Sequence, residues 1–219
     1  MVKDKKQFLV LGLGRFGASL AIQLCQLGHE VLAVDSRAEH VEDVAPYVTQ
    51  AVQANATDED ALDALGVSNF DAAIVSIGQN IRDSILVSVL CKEKGVPMVM
   101  AKAVDSLHAK VLEKVGVDRV VFPEQDMGQR VARSLVSPSI VDLMDLADGY
   151  QIAEIVVPKA WHHRSLVDVN VRRNYSLSVI GIRRKNGFLA SPGAETVFEP
   201  EDIMVVLGQQ KDVDALERQ

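Results

Sequence analysis

Apolar residues fall in short unbroken runs, regularly spaced along the first two-thirds of the chain. They are Phe8-Leu9-Val10-Leu11, Val31-Leu32-Ala33-Val34, Ala72-Ala73-Ile74-Val75, Met98-Val99-Met100-Ala101 and Arg119-Val120-Val121-Phe122. Runs this uniform belong to strands buried on both faces, as in a parallel sheet covered by helices. Between the first two, Leu20, Leu24 and Leu27 recur at helical spacing until Gly28 stops them. Strand and helix in alternation predict an α/β fold, a Rossmann-like doubly wound parallel sheet.

The pattern changes after about Leu135. Ser137-Pro138-Ser139 is a turn signal, and Val141 to Leu146 reads as a short apolar connector. Ile152 to Val157, Ser178 to Ile182 and Ile203 to Leu207 then read as strands separated by turns. Lys185-Asn186-Gly187 marks a hairpin, because Asn-Gly tolerates the positive angles of a tight primed turn. The expected organisation is a Rossmann-like domain at 1–138, a connector at 139–148 and a small mixed α+β domain at 149–219.

Composition narrows the function. The 219 residues are 48% hydrophobic and 24% charged, the balance of a folded globular protein. A net charge of -7 argues against nucleic acid as a partner, since neutralising phosphates needs a basic face. The two cysteines, Cys25 and Cys91, lie in apolar helical stretches and read as buried thiols of a reducing cytosol, not as a disulfide or metal framework. Met1-Val2-Lys3-Asp4-Lys5-Lys6 is basic but leads into too short an apolar stretch for a signal peptide. No apolar run approaches the roughly 20 residues that span a bilayer, so a cytoplasmic location is expected.

Gly12-Leu13-Gly14-Arg15-Phe16-Gly17 is a GxGxxG motif, strengthened by its place between a buried strand and a helix. Gly12 permits the tight turn, Gly14 lets backbone approach a pyrophosphate, and Gly17 lets helix and strand pack closely. The helix N-terminus then offers free amides and partial positive charge to phosphates. Asp35, 21 positions beyond Gly14 at the end of the second strand, would accept hydrogen bonds from ribose hydroxyls. NAD, NADP, ATP and ADP all fit such a motif. Arg15 inside the phosphate loop suits an extra phosphate or a bridge between subunits; its alternative is a solvent-facing side chain. Ala54-Asn55-Ala56-Thr57 and Ser76-Ile77-Gly78 follow other strands and would line the same site. Lys102 either reaches a phosphate or faces solvent.

These segments occur in order with Lys102-Ala103 and Pro123-Glu124-Gln125-Asp126-Met127-Gly128. Together they resemble the RCK (KTN) domain of Ktr-type potassium-uptake regulatory subunits. The small domain resembles that family's C-terminal lobe, with Asn170-Val171-Arg172, Tyr175 and Ser191-Pro192 in matching places. The resemblance covers essentially the whole chain. It implies a homo-oligomeric ring, an octamer built from dimers, docked on a membrane potassium-translocating subunit at the inner face of the cell membrane. It also implies that ATP activates the assembly and ADP relaxes it.

Glu124 and Asp126 begin a helix. They serve its dipole or, as the resemblance implies for Glu124, hold Mg2+ or Ca2+ near the nucleotide phosphates. His162-His163 and His108 lack a third ligand at metal spacing, and the adjacent pair reads as solvent-facing. Arg172, Arg173, Arg183, Arg184 and Lys185 form a solvated face or an anion site, and the resemblance implies cyclic di-AMP at a dimer interface there. Arg172, Asn174 and Pro192 are the expected contacts. The chain shows no recognisable nucleophile motif, so a non-enzymatic gating module leads over an NAD(P)-dependent oxidoreductase or an NADH redox sensor.

Overall fold

In the computed structural model, which describes residues 5–137 and 139–217, the chain forms two compact units, Met1–Glu124 and Gln125–Gln219. Residues 1–4 and Pro138 of the expected turn lie outside the described residues. The first unit runs β1 (Gln7–Leu11), α1 (Arg15–Gln26), β2 (Glu30–Asp35), α2 (Ala38–Val44), β3 (Gln50–Gln53) and α3 (Glu59–Ala64). It continues through β4 (Ala72–Val75), α4 (Ile81–Glu93), β5 (Val99–Lys102), α5 (Ser106–Lys114) and β6 (Arg119–Val121) to the start of α6 (Pro123–Val136).

The strands form one sheet in the order β3-β2-β1-β4-β5-β6, parallel at every pair. This is the doubly wound arrangement, in which the order reverses between β1 and β4. Alternate residues feed two cores. Leu9, Leu11, Leu32, Val34, Ala73 and Val75 face one side, and Val10, Val31, Ala33 and Ile74 the other. Burial on both faces is why these strands read as continuous apolar runs. Register also sets the site: Leu11 pairs with both Val34 and Val75, so Gly12, Asp35 and Ser76 leave the sheet at one edge.

The second unit carries β7 (Ile140–Asp145), β8 (Tyr150–Val156), α7 (Leu166–Val169), α8 (Val171–Tyr175), β9 (Ser178–Arg184), β10 (Gly187–Ala190), β11 (Ile203–Gln209) and α9 (Gln210–Glu217). Its antiparallel sheet runs β10-β9-β11-β8-β7. Ala153, Ile155, Ile182, Met204 and Val206 pack with Trp161, Phe198, Val213 and Leu216.

Four expectations change. Residues expected as a connector form β7, held by Arg130 of α6 on Asp142 at 2.6 and 2.8 Å and by Arg133 on Asp145 at 3.1 Å. Most of α6 belongs to the second compact unit, which begins at Gln125, whereas the expected first domain ends at 138. The hairpin exists, but its two loop residues are Lys185 and Asn186, with Gly187 paired to Arg184 and alone carrying a positive φ, of 141°. Cys91 is buried, which raises its pKa to about 12, whereas Cys25 is only half-buried, its Sγ 3.7 Å from Thr49 Oγ1.

Phe198 is fully buried and stacks beside Trp161 at 6.0 Å between ring centroids. Phe198→Ala should therefore destabilise the second unit by about 3–5 kcal/mol, read from urea unfolding. A loss under about 1 kcal/mol would mean that this core repacks around the gap.

Candidate functional site

The carboxyl edge of the parallel sheet opens into a cleft at the β1/β4 reversal. Ligands of open α/β sheets bind at this place. The cleft is lined by Gly12, Gly14, Asp35, Asn55, Ala56, Thr57, Ile77 and Gly78, all expected from sequence. It is also lined by Ser36, Arg37, Gln79, Asn80 and Asp83, which sequence reasoning passed over. Their signal was adjacency: each lies within two residues of an expected one or starts the helix after β4.

The glycine turn is built by close approach. Gly12 has φ +96°, and a Cβ there would meet Ile77 N at 3.2 Å. A Cβ on Gly17 would lie 2.0 Å from the Gly12 carbonyl oxygen, so α1 packs on the turn only because residue 17 lacks a side chain. Around Gly14 that space is open, leaving room for a ligand over the backbone. Gly14 caps α1 without a side-chain hydrogen bond, and no acidic residue occupies the first turn. The amides of Arg15, Phe16 and Gly17 donate to no protein acceptor among the described residues. Unpaired donors at the positive end of a helix form an anion seat.

Asp35 closes the other end. Its Oδ2 accepts from Leu13 N at 2.7 Å and lies 3.1 Å from His40 Nδ1, while Oδ1 accepts from Arg37 N at 2.9 Å. Burial alone would raise its pKa, but the donors from Arg37, Leu13 and His40 outweigh burial and hold it below the usual carboxylate range. A carboxylate 10% exposed keeps free lone pairs for hydroxyls, and its negative charge repels a phosphate at the same place. Asn55 stabilises its loop by accepting from Thr57 N at 3.1 Å and Thr57 Oγ1 at 2.9 Å. Asn80 caps α4 through Arg82 N at 3.1 Å.

Five expected residues stand outside the cleft lining. Phe16 and Gly17 belong to the first turn of α1, where both offer backbone amides and Gly17 also allows the close packing on Gly12. Arg15 is exposed, and its charge helps keep Glu124 ionised. Lys102 runs past Gly78, where a Cβ would lie 3.3 Å from Nζ, and forms an ion pair with Glu124.

Glu124 does not fit a protein-built cation site. Its carboxylate is taken up by Lys102, whose hydrogen bond is the main cause of its lowered pKa. Among the described residues, no three His, Cys, Asp or Glu side chains come together to hold a metal. His108 is buried, His162 is half-buried, and His163 is exposed with Nδ1 3.6 Å from Glu199.

In the second unit the basic cluster is partly neutralised. Arg183 pairs with Glu154 at 2.7 Å, Arg184 with Asp202 at 3.3 Å, and Asn174 Nδ2 donates to Val169 O at 2.8 Å. Arg172 and Arg173 on α8 have no ion-pair partner among the described residues.

Fold and cleft define a Rossmann-type nucleotide-binding module followed by a small antiparallel domain. The TrkA-N domain model matches residues 8–123 and the TrkA-C domain model residues 152–219. The chain is 42% identical to Ktr system potassium uptake protein A of Bacillus subtilis (strain 168), across 98% of this chain and 96% of that protein. It is 39% identical to Ktr system potassium uptake protein C of the same organism, across 98% and 97%. The chain belongs to the Ktr-type family of potassium uptake proteins, built from TrkA-N and TrkA-C domains. In fold it is similar to the solved GsuK channel, with a TM-score of 0.70 at 19% identity over 99% of this chain and 40% of that one. The separately solved GsuK RCK domain gives 0.68 at 20% identity, over 100% and 48%. Among the described residues, no helix is long and apolar enough to cross a membrane.

Replacing Asp35 by Ala should lower adenosine-nucleotide affinity about 10- to 100-fold, the worth of a charged hydrogen bond to ribose, and Asp35→Asn should lower it less. Titration calorimetry reads both. Affinity within twofold of the parent in Asp35→Ala would place the adenosine elsewhere.

Proposed function

We propose that the chain is the nucleotide-responsive regulatory subunit of a potassium uptake system, acting on a separate membrane subunit that carries the ion. The observation that carries this reading is the β1/β4 cleft, with a ribose acceptor at one end and unpaired α1 amides in the middle, in a relative of potassium uptake proteins along nearly its whole length. ATP and ADP are the proposed ligands. Arg15 begins α1 at the amide seat and Lys102 Nζ reaches the cleft wall at Gly78, so their charges would suit the terminal phosphates of a nucleoside triphosphate. Asp35 opposes the 2'-phosphate of NADP for the reason it favours a free ribose.

An NADH-reading sensor is the second reading. It is favoured by Asp35, which serves either ribose, and by the place of Arg15 outside the cleft lining. In both readings the ligand acts by differential affinity for two assembly states, since a ligand bound equally to both shifts nothing.

A homo-oligomeric ring completes the proposal, with an octamer built from dimers as the assembly. In the second unit, Leu135 and Val136 of α6 and Met144 of β7 are exposed apolar side chains of the sort that another copy covers. Cyclic di-AMP is the proposed ligand of that unit, contacting Arg172, Asn174 and Pro192. With Arg183 and Arg184 already paired, its charge falls to the arginines of α8. The chain is read as a cytoplasmic regulator and not as an enzyme.

Titration calorimetry with ATP, ADP, NADH and NADPH on the purified chain tests the reading. ATP and ADP should bind, NADPH least well, and Arg15→Ala should weaken ATP about tenfold while ADP changes little. Binding of NADH alone would establish the second reading, and equal losses of ATP and ADP would assign Arg15 to the pyrophosphate.

A further inference from the structure

His40 stands behind the ribose acceptor. It lies in the first turn of α2, half-buried and outside the cleft lining, whereas its two polar neighbours, Asp35 and Arg37, line the cleft. Both neighbours meet the imidazole at a single atom. Nδ1 lies 3.1 Å from Asp35 Oδ2 and 2.9 Å from Arg37 Nη2. A ring nitrogen either carries a hydrogen or offers a lone pair, a guanidinium only donates, and an ionised carboxylate only accepts. Nδ1 therefore serves Arg37 when bare and Asp35 when it carries a hydrogen. It cannot serve both at once.

A neutral ring divides between its tautomers, but a charged ring has a hydrogen on each nitrogen. Protonation thus selects the contact with Asp35, and the positive ring repels the guanidinium of Arg37. The two states differ in what they leave for a ligand. With Nδ1 bare, Asp35 Oδ2 has one protein donor, Leu13 N at 2.7 Å, and can accept a ribose hydroxyl. With the imidazolium in place, Oδ2 takes a second, charge-assisted donor, and a hydroxyl must compete with both. Other ionisable groups on the elements packed against α2 are few. β3 carries none, α1 carries Arg15 and Cys25 near its ends, β2 carries Glu30 at its far end, and the turn Ala45–Tyr47 carries Tyr47. Glu39, Glu42 and Asp43 lie on α2 itself. Among the described residues, the polar contacts of the imidazole are Asp35 and Arg37.

We infer that His40 is a positioning residue whose protonation takes Asp35 away from the ribose hydroxyls, so that adenine-nucleotide affinity falls as pH falls. The inference rests on the nucleotide reading above and adds to it a dependence on acidity.

The experiment is calorimetric titration of the full chain with ADP at about pH 8 and at about pH 5.5, the window in which imidazoles change charge. The chains are the parent, His40→Asn, and Asp35→Asn with and without His40→Asn. The asparagine oxygen can still accept from Arg37, but the side chain takes up no proton. At the higher pH the parent and His40→Asn should bind ADP within about twofold of each other, which also shows that the variant is folded. At the lower pH the parent should bind about three- to tenfold more weakly than His40→Asn, the range of one hydrogen bond. Titration of the nucleotide's own phosphates is common to both chains and cancels in that ratio. At about pH 6.5 the parent should also release more protons on binding than His40→Asn, because affinity that falls with acid requires a bound state holding fewer protons. Heats measured in buffers of different ionisation enthalpy read that release. In the Asp35→Asn background His40→Asn should change ADP affinity at neither pH, since the imidazole acts through that carboxylate. A ratio of parent to variant that is the same at both pH values overturns the inference, as does tighter binding by the parent in acid or an effect that survives in Asp35→Asn. A parent that binds no adenine nucleotide even at the higher pH overturns the nucleotide reading and this inference with it.

Discussion

Helix α1 can begin where it does because nothing but hydrogen separates Gly17 from the carbonyl of Gly12. A methyl group at position 17 would sit 2.0 Å from that oxygen. The contact fixes the direction of α1, and with it the place where the first-turn amides emerge above the sheet edge. From the same edge Leu13 N reaches back to Asp35, tying the turn after β1 to the end of β2. The ends of β1 and β2 are thereby held together at the cleft, and a single added carbon would break the arrangement.

The charges around the cleft follow a simple division. A hydrogen-bonded, ionised Asp35 stands at one end, backbone donors hold the centre, and the long cationic side chains of Arg15 and Lys102 lie outside the cleft lining. In the proposed reading, the rigid groups meet what adenine nucleotides share and the long side chains meet what differs. Because β5, β6 and α6 are consecutive, the chain passes into its second unit soon after Lys102.

Sequence made the parallel sheet plain wherever strands were buried on both sides, as with Leu9 to Leu11 and Ala72 to Val75. It was silent on β3, Gln50–Gln53, because an edge strand with polar ends lacks an apolar run. It misread β7 because Val141 and Met144 are exposed there alongside Asp142 and Asp145, so neither alternation nor a buried apolar run marks the strand. Most of the cleft was legible from glycine chemistry and strand ends. Ion pairing was not: Arg183 with Glu154 is 29 positions apart, Lys102 with Glu124 is 22, and no local spacing signals either. Asp35 gaining His40 as a neighbour likewise depends on how α2 packs, which the motif does not encode.

Amide hydrogen exchange on the intact chain, with and without saturating ATP, tests the central claim most directly. Slowed exchange is predicted for the first turn of α1 and the loops at Asn55–Thr57 and Ser76–Gly78, whose backbone faces or frames the cleft. Protection confined to the second unit, with the α1 amides exchanging as fast as in the free chain, would contradict it.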